Sequence, residues 1–175
     1  MLNAFKEKIT SLALDPNDGF HTHLRKRVGK RATGVLEKRL KQMIWLMPGV
    51  VGRTYDLWRR TRTPTKAKQL GGVLLSYMYH PQDFFPEDVY GLFGYLDDAY
   101  FAGAVYTQVV EEIRGKGIRL AKFDEDLNTD IKRLSKAVKI VIPKEVEKID
   151  RLIHEATHGN YDTYLRMFSS LRTLV

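Results

Sequence analysis

Apolar residues recur at three- and four-residue spacing along most of the chain, the period of a helix with one buried face. Leu2, Phe5, Ile9, Leu12 and Ala13 predict a first helix over residues 2–14. The cluster Asp15-Pro16-Asn17-Asp18-Gly19 ends it as a turn. Leu24, Val28, Leu36, Leu40, Ile44 and Met47 predict a long helix over residues 20–47, weakened in its middle by Gly29 and Gly34. Pro48 and Gly49 are expected to break it, and a further helix with Tyr55 and Trp58 follows over residues 50–61.

The pattern resumes over residues 66–79 and, after a proline-rich loop, over residues 95–114, which Gly115 and Gly117 stop. Asn128 or Thr129 is a candidate cap for a helix running to Val141. Pro143 suits a first helical position and opens a helix to about His158; Gly159 closes it, and Asn160 caps a last helix to Leu171. No stretch alternates with period two. The expected fold is all-α: a helical bundle with a central helical hairpin and a basic N-terminal helical segment. Its parts are a basic segment over residues 1–65, the hairpin over 66–115 and C-terminal helices over 116–175, packed as one domain.

Charge changes this picture more than composition does. The chain of 175 residues has a net charge of +8, and it is unevenly spread. Residues 21–70 hold fourteen Lys and Arg against Glu37 and Asp56, while residues 71–175 are net acidic. Such a segment is an electrostatic footprint for a polyanion. Its densest positions are Arg25, Lys26, Arg27, Lys30, Arg31, Lys38, Arg39, Arg59 and Arg60, interleaved with Trp45, Tyr55 and Trp58. Trp and Tyr beside Arg suit a membrane interface; the same bases suit nucleic-acid phosphates. The absence of cysteine excludes a disulfide framework, a thiolate metal site and a cysteine nucleophile. The longest apolar runs, Val73 to Tyr79 and Ala99 to Tyr106, fall well short of the roughly 18 residues that span a bilayer. Lys6, Glu7 and Lys8 stand where a signal peptide would need apolar residues, so a cytoplasmic protein, soluble or peripheral on the inner membrane face, is expected.

The central stretch His80-Pro81-Gln82-Asp83-Phe84-Phe85-Pro86-Glu87-Asp88 links two apolar helices, and Gly94-Tyr95-Leu96-Asp97-Asp98 opens the second. Pro81 removes a backbone donor and ends the incoming helix. Asp83 can accept from free turn amides, and Asp97 and Asp98 sit where a helix dipole favours negative charge. Pro81, Asp83, Pro86 and Asp88, then Gly94, Asp97 and Asp98, resemble the signature of the YkvA family, a bacterial domain of unknown function. Glu87 is one residue more than that spacing has. The resemblance covers roughly residues 67–106. It implies a helical hairpin, often linked with membrane proximity, and brings no reaction, cofactor or catalytic residue.

Two readings of the acids compete. Asp83, Asp88, Asp97 and Asp98 either cap helix ends or converge on a divalent cation, which takes oxygen ligands and could assist hydrolysis. A second metal-like string is His154-Glu155-Ala156-Thr157-His158, which has the HExxH form of zinc peptidases. Ile149, Leu152, Ile153 and Ala156 must face the core, which turns His154 and His158 towards solvent and away from any substrate cleft. No catalytic residue or cofactor is therefore assigned. The expected function is that of a non-enzymatic interaction protein docking through its basic segment to an anionic membrane surface or an acidic protein partner. The alternatives are nucleic-acid binding and a metal-dependent hydrolase built on the Asp cluster.

Overall fold

The centre of the molecule is a helix that is buried nearly all the way round. In the computed structural model, which describes residues 2–15, 19–78, 85 and 87–158, this is α5 (Leu96–Gly115). Leu96, Phe101, Val105, Tyr106, Val109 and Val110 are all buried, on several faces of the helix at once. Such a helix can only be the core of a bundle. Around it pack α2 (Phe20–Arg59), α3 (Thr65–Met78), α6 (Lys122–Val141) and α7 (Pro143–Thr157). α1 (Leu2–Leu14) lies on α2 and buries Ile9, and a short α4 (Glu87–Tyr90) leads through a 3₁₀ turn, Gly91–Tyr95, into α5. One continuous apolar cluster runs from Ile9 to Ile153, and no strand occurs among the described residues. The all-α bundle expected from periodicity is what forms. None of the described helices is long and apolar enough to cross a membrane.

Three boundaries differ from the sequence reading. Pro48 and Gly49 do not break the second helix: α2 continues through them to Arg59. Proline costs the helix one hydrogen bond, but Pro48 is itself buried, between Ile44 and Met47 on one side and Val50 and Val51 on the other. Packing of that face holds the register. The interruption falls instead at Gly29, with φ 75° and ψ 167°, a conformation that a residue with a Cβ rarely adopts. Secondly, α6 begins at Lys122, well before the proposed caps; Asn128 is a buried interior residue and the Thr129 hydroxyl donates to the Glu125 carbonyl. Thirdly, the stretch before α5 is helical from Glu87 onward. The expected helix after Gly159 lies outside the described residues.

Two carboxylates are fully buried, Asp97 and Asp124. Asp124, in the first turn of α6, is fully buried. The Arg53 guanidinium of α2 grips it through two bonds, Nε to Oδ1 at 2.6 Å and Nη2 to Oδ2 at 2.8 Å. The Tyr106 hydroxyl of α5 donates to Oδ1 at 3.0 Å, and the Ala121 amide donates to the same carboxylate, as in half of a capping box. Burial pushes the Asp124 carboxyl up, but these four donors outweigh it, and its pKa falls below the ordinary Asp value. Burial and the adjoining Asp124 carboxylate push the Tyr106 hydroxyl well above the phenol range, so it remains a donor.

Removing one partner of a buried ion pair strands the other. Asp124→Ala is expected to lower unfolding free energy by about 3–5 kcal/mol, read from urea denaturation, whereas Tyr106→Phe costs about 1 kcal/mol. A loss for Asp124→Ala no larger than that of Tyr106→Phe would contradict the assignment. A carboxyl depressed by folding contributes stability in full above its unfolded pKa and loses it as pH falls through the folded value. The stability difference between the wild type and Asp124→Asn therefore shrinks as pH is lowered below the ordinary Asp value of 3.8, and urea midpoints taken across that range check it.

Candidate functional site

The described part of the central stretch lies at the entry to α5. A Cβ at Gly94 would stand 2.9 Å from the Phe85 carbonyl oxygen and 3.0 Å from the Glu87 Cα, backbone atoms that cannot move aside, so glycine lets the loop close onto the 3₁₀ turn. Asp97 and Asp98 occupy the first turn of α5 and are both buried. The Tyr77 hydroxyl of α3 is 3.4 Å from Asp97 Oδ2, and its ring stacks on Phe101 with centroids 4.0 Å apart. Asp88 is exposed on α4. Glu87 accepts a hydrogen bond from Lys8 and so ties α1 to the start of α4. Pro81, Asp83 and Pro86 lie outside the described residues.

The HExxH string lies on the last two turns of α7. His154 and His158 are exposed and Glu155 is half-buried. The two imidazoles stack with centroids 3.9 Å apart, and His158 Nδ1 donates to the His154 carbonyl at 2.9 Å. Among the described residues no three His, Asp or Glu side chains come together as a metal site.

The basic segment maps onto the outer side of α2. Arg25, Lys26, Lys30, Arg31, Lys38 and Arg39 are all exposed, and none has an ion-pair partner among the described residues. Arg31, Val35, Lys38, Gln42 and Trp45 follow at alternating spacings of four and three, so they form one stripe opposite the buried Leu36, Leu40, Met43 and Met47. Val35 is 64% exposed and Trp45 42% exposed. Gly34, Glu37, Lys38, Lys41, Gln42 and Trp45 line a shallow depression along this stripe. The remaining predicted positions divide. Arg59 lies over the Tyr55 ring at 5.6 Å, and Arg60 is exposed just past the helix end. Arg27 is exposed but engaged: its guanidinium lies 4.9 Å from the Phe85 ring centre and 3.6 Å from Glu145.

A second basic surface was not foreseen. A cavity of about 550 Å³ opens between α3, α5, α6 and α7. Lys66, Lys132, Lys136 and Lys139 line it with Asp150, His154 and His158, over a floor that includes Tyr100. Lys132, Lys136 and Lys139 share one face of α6 by helical spacing, a signal present in the sequence, whereas the approach of Lys66 on α3 is visible only in the folded chain. The Tyr100 hydroxyl donates to Asp150 Oδ1 at 2.7 Å and Lys139 lies 3.4 Å from Oδ2. Burial, with the Asp150 carboxylate, pushes the Tyr100 hydroxyl well above the phenol range.

No family model matches this chain, and neither a curated protein nor a solved structure matches it.

The Gly94 geometry has a direct test. Gly94→Ala overpacks against backbone and is expected to cost about 1–3 kcal/mol, measured by thermal denaturation. An unchanged melting temperature would mean that the loop does not close as described.

Proposed function

We propose that this chain is a non-enzymatic helical interaction protein that docks on an anionic membrane surface through the outer side of α2. The observation that carries the reading is the stripe Arg31, Val35, Lys38, Gln42 and Trp45, with Lys30 and Arg39 beside it, unpaired and exposed. Each ammonium or guanidinium near an anionic leaflet contributes about 1 kcal/mol. An indole with its apolar body outward and a polar N–H suits the headgroup layer. Val35 adds apolar area on the same face. Acidic side chains are nearly absent there: Glu37 is engaged by Lys41 at 2.9 Å and by His21 at 2.9 Å. Burial raises the Glu37 carboxyl, but its Lys41 and His21 partners outweigh that and hold it low.

The likeness of residues 67–106 to the YkvA hairpin belongs to this proposal, since that family's link is with membrane proximity. A peripheral position on the inner membrane face belongs to it too. The hairpin then acts as the scaffold that presents α2, its buried carboxylates serving the fold.

Co-sedimentation of the full chain with vesicles tests the reading. Vesicles rich in phosphatidylserine are expected to pull the protein down at low salt, and vesicles of phosphatidylcholine alone are not. Reversing Arg31 and Lys38 together to Glu removes two attractive charges and adds two repulsive ones, so binding should weaken by at least about 30-fold. Trp45→Ala should weaken it further without altering the melting temperature. Failure to bind anionic vesicles at low salt overturns the membrane reading. Tight, salt-sensitive capture of duplex DNA in its place would move the surface to the nucleic-acid reading.

A further inference from the structure

The cavity between α3, α5, α6 and α7 has a use distinct from the α2 surface. We propose that it is a binding site for a small phosphate-bearing anion. Its volume of about 550 Å³ falls within the range of small-molecule pockets. Four lysines reach it from two helices, Lys66 from α3 and Lys132, Lys136 and Lys139 from α6. The lysine ammonium is a compact point charge that suits phosphate oxygens from several directions. Thr107, Ser135 and Gln108 supply neutral donors on the same lining.

The anionic groups nearby do not cancel this charge evenly. Asp150 is the one carboxylate on the lining, and both its oxygens are engaged, Oδ1 by the Tyr100 hydroxyl at 2.7 Å and Oδ2 by Lys139 at 3.4 Å. Lys139 also sits over the Tyr100 ring, 5.7 Å from its centre, which holds the ammonium at the wall. Glu111 engages Lys132 at 2.7 Å and Glu112 engages Lys66 at 3.1 Å. Neither glutamate lines the cavity. Lys136 has no ion pair among the described residues and is exposed, so it is the cation with nothing to give up when an anion arrives. Three of the four lysines thus have a carboxylate partner, and the charge left over on the lining is that of Lys136.

Isothermal titration of the full chain with pyrophosphate tests the site, with citrate as a carboxylate anion of similar charge. Pyrophosphate is expected to bind saturably at one site per chain. Lys136→Glu should weaken binding by more than tenfold with an unchanged melting temperature, Lys136→Arg should retain it, and the α2 double reversal of Arg31 and Lys38 should leave it unchanged. No heat at millimolar pyrophosphate overturns the proposal. So does equal binding by Lys136→Glu, and so does citrate binding as tightly as pyrophosphate. Because the α2 variants affect vesicles and the Lys136 variants affect pyrophosphate, either proposal can fail without the other.

Discussion

A carboxylate enclosed on all sides by helices cannot remain charged without donors, and this constraint organises the bundle. Asp124 is fully buried, and its partners come from three separate pieces of chain: Arg53 from α2, Tyr106 from α5 and the Ala121 amide at the start of α6. Arg53 matches both oxygens with its planar fork, a geometry that fixes rotation as well as distance. Apolar contacts between helices tolerate sliding far better than a two-point bond does. The pair therefore sets how α2 is turned about its own axis, while Leu36, Leu40, Met43 and Met47 supply most of the burial.

That rotation decides what the surface looks like. The side of α2 that carries Arg31, Lys38 and Trp45 faces solvent over its first part and, five turns on from Val35, meets Asp124 through Arg53. The same basic segment thus does two jobs. Arg53 pairs with Asp124, Arg27 packs over Phe85 near Glu145, Lys41 holds Glu37, and Lys66 meets Glu112. The bases without such partners face solvent. Continuity of α2 through Pro48 matters here, because a break would have separated the outward stripe from the residue that orients it.

Much of this was legible in the sequence, and the failures have physical causes. The 3.6-residue period located nearly every helix because α2, α3, α6 and α7 each have one face on α5 and α1 has one on α2. Pro48 misled because its cost is local, while the burial that offsets it comes from other helices. Gly29 was visible as a weak point, but nothing local distinguishes a tolerated glycine such as Gly34 from one in a left-handed conformation. The start of α6 was missed because its cap residue is Ala121, which has no capping side chain; Asp124 acts in its place from inside the first turn. Long-range pairs were out of reach. Arg53 and Asp124 are 71 residues apart, and in a basic segment Arg53 looks like any other arginine. The lysine cavity was missed for the same reason on its α3 side.

The central claim is that Arg53 and Asp124 act as one unit that orients α2. A double-mutant cycle of Arg53→Met and Asp124→Asn, followed by urea denaturation, measures their coupling directly. The account predicts a coupling of about 2–3 kcal/mol, the double variant being much less destabilised than the two single losses added together. Additive losses within about 0.5 kcal/mol would contradict it, since the two side chains would then be independent and something else would have to hold α2 in place.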